Sequence, residues 1–541
     1  MSVEFPHSEP DAIESGLTNE KKAASITEVQ ISRVSRPLLI LFYIGALVTI
    51  FAASMEGVMP ASFFVYAAHA WNVKVSSLWM LASYLIGYVS LILPAFRVSE
   101  LTGRLSTFWF GLILFVIFTG VSGHAHTSYA FAVLRAFQGA GAGIITSVSV
   151  LLVATNTSDR NRALAVGGLC AAQLFGVGAA HIIGGKLAVD DRFRWGIYLA
   201  APLAALPAIL CTPALIADKK PPRDEPIVRR VVRFDYIGTL ILIGTVIMET
   251  MGLTFGGNEH KWDTAIVICL IVFGAVGIAA FLLWEKFGAS RPIFNTRWLH
   301  ERNLQISIIS ILLMSMVFFS LAVYVPILYI TARTEPTDVA GRKAAPYWGM
   351  SMAAAVLVGA VLRFKPALAR PLAWLGLVIS IIFTGLYYNI PLLADTSKER
   401  GYYAMAGLGM GLAYPAVAYI AQASVPLEEV GAAAVVSHFL SVVGGMLGLI
   451  LYQACLKSRL IHNLSPIFKS NALLQTFHIS TMDIAALEAS GPSLLNYVPT
   501  MTEKIGTQMV DALHTTFVIS VPFLGAALLA TLFYKLHGMR S

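Results

Sequence analysis

The segment LRAFQGAGAG, Leu134 to Gly143, places a guanidinium, an amide and three alternate glycines inside an apolar run of the chain. A charged side chain at membrane depth costs about 2.5 to 3.5 kcal/mol on insertion scales, and such side chains mostly face a bundle interior or a water-filled cavity. Spacings of three and four residues place Arg135, Gln138 and Gly139 on one face of a helix. Two interpretations follow. Either Arg135 has a function in the interior, or the face packs against another helix while the arginine reaches the outer surface.

The composition is that of a membrane protein. Of 541 residues, 57% are hydrophobic and 13% are charged, whereas about a quarter of the residues in soluble proteins are charged. The net charge of +8 reports the orientation of loops in such a chain, so we expect no nucleic-acid partner. The four cysteines lie in or at the end of apolar runs without metal-ligand spacing, and we expect neither a disulfide framework nor a metal.

Fourteen apolar segments have the length of about 20 residues that an α-helix needs to cross a bilayer. Lys and Arg are more frequent in the loops on the side of the amino terminus, so both termini are expected in the cytosol. The predicted spans are residues 38–60, 76–96, 105–123, 128–154, 162–187, 195–216, 235–256, 263–285, 305–331, 346–363, 368–391, 402–425, 431–456 and 512–536.

The pattern R-x-x-Q-G-x-G-x-G resembles the motif of the fourth helix in the major facilitator superfamily, specifically in the fourteen-helix drug:proton antiporters. Its members here are Arg135, Gln138, Gly139, Gly141 and Gly143. Because the arginine of that family is implicated in proton coupling, the resemblance implies this role for Arg135, through the protonation of a nearby acid. The glutamine and glycines are expected to pack the helix closely against its neighbours.

The loop after the second predicted span is similar to the superfamily pattern G-x-x-x-D-R-x-G-R. Phe96, Glu100, Leu101, Gly103 and Arg104 occupy the corresponding positions, so the final Gly-Arg is kept and a glutamate replaces the aspartate. The resemblance implies a cytosolic gate formed by Glu100, Gly103 and Arg104, since a carboxylate and a guanidinium at a turn can lock two halves in one state. The alternative is a solvated pair worth less than about 1 kcal/mol.

The fifth predicted span resembles the antiporter signature G-x-x-x-G-P-x-x-G-G. Gly176, Gly184 and Gly185 match it and are expected to pack against a partner helix, whereas Ala180 and His181 replace the second glycine and the proline. The kink that supports export in the family is therefore missing. His181 is a candidate for proton coupling because histidine titrates near physiological pH, and a hydrogen-bonded packing residue is the alternative.

Glu56 is the only acid of the first predicted span. A carboxyl in this position is a candidate to carry the proton of an antiport cycle, and a side chain that reaches the outer surface is the alternative. The family often has an aspartate a few residues earlier, where this chain has Phe51. In the later spans, Gln422 and His438 are the polar side chains that could face a cavity.

The resemblance implies an all-α membrane protein with a major facilitator fold of 14 transmembrane helices, in two six-helix bundles plus two extra helices. Asn463, in the sequon Asn-Leu-Ser of the long outer loop, is a predicted glycosylation site. The expected divisions are a disordered cytosolic tail 1–37, an N-terminal bundle 38–216, a basic cytosolic linker 217–234, two additional helices 235–285, and a C-terminal bundle 286–541 with an extracellular loop 457–511.

The function implied by the resemblance is a proton-coupled secondary transporter that exports hydrophobic or amphiphilic small molecules, like fungal efflux pumps for toxins and secondary metabolites. Its partners would be protons, a small-molecule substrate and the bilayer, and a monomer in the plasma membrane is expected. A siderophore importer of the same fold is the nearest alternative, and a non-transporting sensor is a further one. The sequence has no phosphate-binding loop or catalytic constellation, so no cofactor and no enzymatic reaction are expected.

Overall fold

A computed structural model describes residues 35–63, 78–189, 192–218, 232, 234–257, 260–289, 292–294, 301–331, 333, 335–389, 396–470 and 502–535. Fourteen helices within these ranges are long and apolar enough to cross a membrane, which confirms the predicted number. They are α1 Arg36–Phe63, α2 Trp79–Thr102, α3 Arg104–Gly123, α4 Ser128–Asn156, α5 Asp159–Ala188, α6 Phe193–Ala217, α7 Tyr236–Phe255, α8 Ala265–Phe287, α9 Arg302–Ile330, α10 Thr337–Phe364, α11 Pro366–Leu386, α12 Ser397–Ala423, α13 Leu427–Pro466 and α14 Gly506–Leu532.

We call α1–α6 the first half and α9–α14 the second half. Most of these helices pack mainly within their own half, whereas α5 and α10 make their most extensive contact with each other, across the two halves. The pair α7 and α8 is packed together, and α7 also touches α2 and α13. No strand occurs in the described ranges, where the only bridge joins Gly256 and His260. The predicted tail falls outside these ranges up to residue 34, as does most of the predicted linker 217–234.

The alternate glycines of α4 recur in α12, at Gly139–Gly143 and Gly407–Gly411. The first and third glycine of each run face α2 or α10, and the middle glycine faces α3 or α11. Gly139 lies against the backbone of Tyr84, and Gly407 lies in the same way against the backbone of Tyr347. The two halves are therefore related repeats, an arrangement common in secondary transporters.

The seam between α5 and α10 is closed along its whole length. We call the end of the molecule at which α1 begins the N-terminal face, and the end at which α1 finishes the opposite face. Near the N-terminal face, a Cβ on Gly167 would lie 2.6 Å from the Ala355 carbonyl oxygen. Near the opposite face, a Cβ on Gly185 would lie 2.7 Å from the Thr337 carbonyl oxygen. Small residues thus bring the two halves into backbone contact at both ends.

Helix α13 is longer than its predicted apolar span, residues 431–456. After a 3₁₀ turn at Leu427–Glu429, its α-helix runs from Val430 to Ser470, past the apolar stretch that ends at Pro466. These 41 residues extend about 60 Å at the α-helical rise, twice the thickness of the hydrocarbon core. The first part of the predicted outer loop 457–511, as far as Ser470, is therefore helical. Asn463 lies in this part, where its Nδ2 donates to the Gln508 carbonyl at 3.3 Å and to Asp511 Oδ2 at 3.0 Å. Its glycosylation stays a prediction.

Candidate functional site

A buried ion pair joins α1 to α4. Arg135 Nη1 lies 2.5 Å from Glu56 Oε1, and Arg135 Nη2 donates to the Glu56 backbone carbonyl at 2.8 Å. The side chains are 0% and 1% exposed. Neither side chain reaches the surface, so the interior position expected of a functional charge is the one observed for both.

Four helices contribute to the surroundings of this pair. Gln138, one turn after Arg135, accepts from Arg135 Nη1 at 3.1 Å and donates from Nε2 to Thr119 Oγ1 of α3 at 2.8 Å. The guanidinium lies 4.6 Å from the centre of the Tyr84 ring of α2. A cation over an aromatic face is attracted by the ring, more strongly where water is excluded. Arg135 thus contacts α1 and α2 directly and is linked to α3 through Gln138.

Glycines make this close approach possible. If Gly139 or Gly143 carried a Cβ, that atom would collide with the backbone of α2. A Cβ on Gly141 would collide with the backbone of α3. Gly87 of α2 lies in turn against the Ala136 carbonyl of α4. Without these contacts the Tyr84 ring would be held away from Arg135. The motif of the fourth helix therefore sets the spacing of the helices as well as the position of the charge.

A proton added to Glu56 would change the charge balance of this ion pair. Glu56 Oε2 is buried and has no hydrogen-bond partner within the described residues, so this oxygen is the position at which a proton would add. A protonated Glu56 no longer offsets the charge of Arg135, which would keep only neutral acceptors, the Glu56 carbonyl and Gln138. An unbalanced charge in the interior is strongly unfavourable, so protonation would destabilise this arrangement of α1 and α4.

The glycines of the fifth helix lie at two different contacts. A Cβ on Gly176 or Gly184 would meet α1, at the Phe51 carbonyl and at Ser62, respectively, whereas Gly185 faces α10. The three glycines that match the signature therefore pack α5 against α1 of its own half and against α10 of the second half.

His181 lies at the junction of α1, α5 and α10. Its Nδ1 is 3.1 Å from Ser62 Oγ, and its ring stacks on Trp348 with centroids 4.9 Å apart and planes at 7°. No hydrogen bond found in the described residues joins His181 to the Arg135 network. These are the contacts expected of a hydrogen-bonded packing residue. A role of His181 in proton coupling stays a prediction.

The loop between α2 and α3 forms ion pairs within the first half. Arg104 Nη1 lies 2.8 Å from Asp218 Oδ2 at the end of α6, and Glu100 Oε2 lies 2.8 Å from Arg97 Nη1. Gly103 has φ of 117°, a conformation that favours glycine, which gives a backbone reason for its place in the motif. A gating role for Glu100, Gly103 and Arg104 stays a prediction.

Arg97 makes a contact that the sequence motifs do not suggest. Its Nε donates to the Pro292 carbonyl at 2.8 Å, and its Nη2 donates to the same oxygen at 2.5 Å. Pro292 follows α8 and precedes the second half. At the N-terminal face, Arg97 therefore ties the end of α2 to the connection that leads into α9.

Among the cavities between the halves that described residues line, three have volumes of about 20, 30 and 50 Å³. The smallest has room for about one water molecule and the largest for a few. Gln173 of α5 lines all three, and Gln422 and His438 line the largest, as proposed for polar side chains of the later spans. Gln173 is not among the predicted site residues, although a glutamine within an apolar span is a signal for such a position.

A chain of contacts leads from the ion pair to the second half. The rings of Tyr84 and Tyr88, one turn apart on α2, are stacked with centroids 5.8 Å apart. The Tyr88 hydroxyl lies 3.0 Å from Nε2 of His438 on α13. Since Tyr84 also touches Arg135, three side-chain contacts connect the charged site to the interface between the halves.

Comparisons with known proteins agree with this architecture. The protein is 24% identical to the MFS-type transporter thnB of Trichoderma harzianum over 78% of this chain and 72% of that protein. It is 23% identical to the MFS efflux transporter aclA of Aspergillus oryzae (83% and 81% covered) and 24% identical to the multidrug transporter protein MdtP of Bacillus subtilis (84% and 86% covered).

The fold is also that of solved transporters. A bacterial homologue of the human lysosomal transporter Spinster, in an inward-facing and unoccupied conformation, superposes with a TM-score of 0.58 over 94% of this chain and 99% of that chain, at 15% identity. The sequence profile of the Major Facilitator Superfamily matches residues 42–449. Because this match spans most of the chain, and because the helices form two related halves, the protein belongs to the Major Facilitator Superfamily of membrane transporters.

Proposed function

We propose that the protein is a proton-coupled exporter of hydrophobic or amphiphilic small molecules, such as toxins, drugs or secondary metabolites. The observation that carries this proposal is the buried pair of Glu56 and Arg135, which touches a cavity wall through Tyr84. Relatives named as efflux and multidrug transporters support export as the direction.

In this proposal Glu56 carries the proton and Arg135 responds to it. Protonation at Oε2 removes the negative partner of a fully buried guanidinium. The ion-paired arrangement is then less stable than an alternative in which the arginine finds other acceptors or water, so the equilibrium between conformations shifts. Release of the proton restores the pair and resets the cycle.

The response reaches the second half through aromatic contacts. Movement of the guanidinium changes its attraction to the Tyr84 ring, and Tyr84 stacks on Tyr88. Tyr88 then loses or regains its hydrogen bond to His438. This contact joins α2 to α13, which separate when the halves rock about a central site. A ligand that displaces Tyr88 would act on the same contact from the cavity side.

The N-terminal face is assigned to the cytosol in this proposal, and the plasma membrane is the proposed location of a monomer. The cytosolic gate then includes Glu100, Gly103 and Arg104, with Arg97 as the contact toward the second half. Asn463 would lie on the outside, where glycosylation occurs.

Export is tested by metabolite profiling of cells that lack the protein. We expect one or more small molecules to accumulate in these cells and to decline in the medium, because the exit route is lost. The wild-type gene should restore the profile, whereas a Glu56→Gln variant present at the same level in the membrane should not. Failure to acquire a labelled compound from the medium would instead indicate an importer, and an unchanged profile would favour a sensor.

A further inference from the structure

We propose that the side chains lining the cavities between the halves form, when the halves move apart to admit a solute, a binding site that selects uncharged molecules carrying at least one hydrogen-bond donor. This inference rests on the proposed function and names the substrate class of its site. It follows from the chemistry of the side chains that line the three cavities, which we call the central lining, and from the way the nearest charges are shielded.

No carboxylate, ammonium or guanidinium group occurs in the central lining, as far as the described residues go. A charged ligand that leaves water needs such a partner, because desolvation of an ion is not offset by apolar walls. The lining combines apolar side chains with neutral polar groups, of which the main ones are Gln173, Gln422, Tyr88, Tyr414, Ser441 and His438.

The nearest charges are not available to a ligand. Glu56 and Arg135 are paired with each other, and both are buried. Tyr84 belongs to the central lining, and its ring lies 4.6 Å from the guanidinium. While Glu56 is ionised, one face of this site is therefore an aromatic ring in front of a neutralised pair, which offers a ligand no net charge.

An unused acceptor indicates the polar group of the ligand. Gln422 is 6% exposed, and its Oε1 has no hydrogen-bond partner within the described residues. A buried acceptor left unpaired is unfavourable, and a hydroxyl or amide N–H of a ligand would pair with it. Gln173, which lines all three cavities, offers both a donor and an acceptor beside it. A neutral molecule with such a group would satisfy the site.

Cys170 provides a direct probe, since its thiol lines two of the three cavities. The other three cysteines, Cys211, Cys269 and Cys455, do not belong to the central lining and are replaced by serine. The purified full-length chain is then treated with methanethiosulfonates that carry a 2-hydroxyethyl, a 2-(trimethylammonium)ethyl or a 2-sulfonatoethyl group. In each case the Cys170 thiolate bonds to the reagent sulfur, and methanesulfinate leaves with the electron pair of the broken S–S bond.

The rate for each reagent is divided by its rate with a free thiol in solution. We expect the hydroxyethyl reagent to react at least about tenfold faster than either charged reagent, because the central lining does not stabilise an ion. Gln173→Glu is expected to raise the rate of the cationic reagent and lower that of the anionic one. Gln173→Ala is the matched control, and the three reagents are expected to keep the order of normalised rates that they have with Gln173 present.

Equal normalised rates for the neutral reagent and either charged reagent would overturn the proposal. So would the absence of any reaction in the folded protein when the denatured chain reacts fully, because the cavities would then be closed to solutes. The assay uses no proton gradient and measures no transport. A protein that prefers the neutral reagent but fails the metabolite test would keep this binding site and lose the proposed export.

Discussion

A valine in place of Gly139 is expected to prevent stable assembly of the first half. The Cβ of any residue at this position would overlap the Tyr84 backbone carbonyl, which belongs to a helix and cannot rotate away. Overpacking a well-packed interior typically costs about 1–3 kcal/mol, and the cost here should reach the top of that range because α2 must move as a unit. The yield of monodisperse protein after detergent extraction and its unfolding temperature measure the effect.

Gly120→Val is the matched control for this experiment. Gly120 lies in the neighbouring helix α3, and no atom lies within 4 Å of the place where its Cβ would be. This variant should keep the wild-type yield and unfolding temperature. Gly407→Val in the second half should behave like Gly139→Val, since Gly407 meets the Tyr347 backbone in the same way. A stable Gly139→Val protein would show that α2 and α4 are not packed as described.

Arg135→Ala is expected to abolish proton-coupled transport and to destabilise the protein. Removal of the guanidinium leaves the Glu56 carboxylate buried without its partner, and breaking a buried ion pair from one side costs about 3–5 kcal/mol. Transport of a compound identified by profiling, measured at equal protein level in the membrane, should fall to the background of cells without the protein. Unchanged transport would remove Arg135 from the mechanism.

A double variant separates stability from function. Arg135→Ala combined with Glu56→Gln leaves no unpaired charge in the interior, so its unfolding temperature should recover much of the loss of Arg135→Ala. Non-additive behaviour of this kind is typical of residues in direct contact. The double variant should still be inactive in coupled transport, because neither the proton carrier nor the responding charge remains. Full recovery of transport along with stability would mean that the pair is only structural.

The sequence was sufficient to predict the number of membrane-crossing helices and the face of α4 on which Arg135 lies. Apolar length determines whether a helix crosses a bilayer, so the fourteen spans could be recognised one by one. The spacing of Arg135, Gln138 and Gly139 placed all three on one helical face, which is where they are found. Such predictions succeed because they depend on neighbours within one or two turns of the same helix.

The partners of these residues could not be predicted in the same way. Glu56 and Arg135 are separated by 79 residues, and Tyr88 and His438 by 350. Contacts between helices depend on how the glycine faces fit together, which no local spacing reveals. Glu56 was a candidate because it is an acid in an apolar span, yet its pairing with Arg135 required the structure. Gln173 is a glutamine within an apolar span, which is a local signal, but its place beside three cavities is visible only in the structure. The contact of Arg97 with Pro292 has no local signal.

The most direct test of the central claim, that Glu56 carries the coupling proton, follows the two halves as the pH changes. Spin labels at Ser106 and Leu368, exposed residues near the N-terminal face of the first and second halves, report the distance between the halves in a chain with its four cysteines replaced. In the chain that keeps Glu56, the account predicts a change of the distance distribution between acidic and alkaline pH. Glu56→Gln should show, at both pH values, the distance distribution that the original chain has at acidic pH, since the amide resembles a protonated carboxyl. Glu399→Gln, at a buried acid paired with Arg333 in the second half, should keep the pH response. A Glu56→Gln protein that responds to pH as the original does would contradict the account.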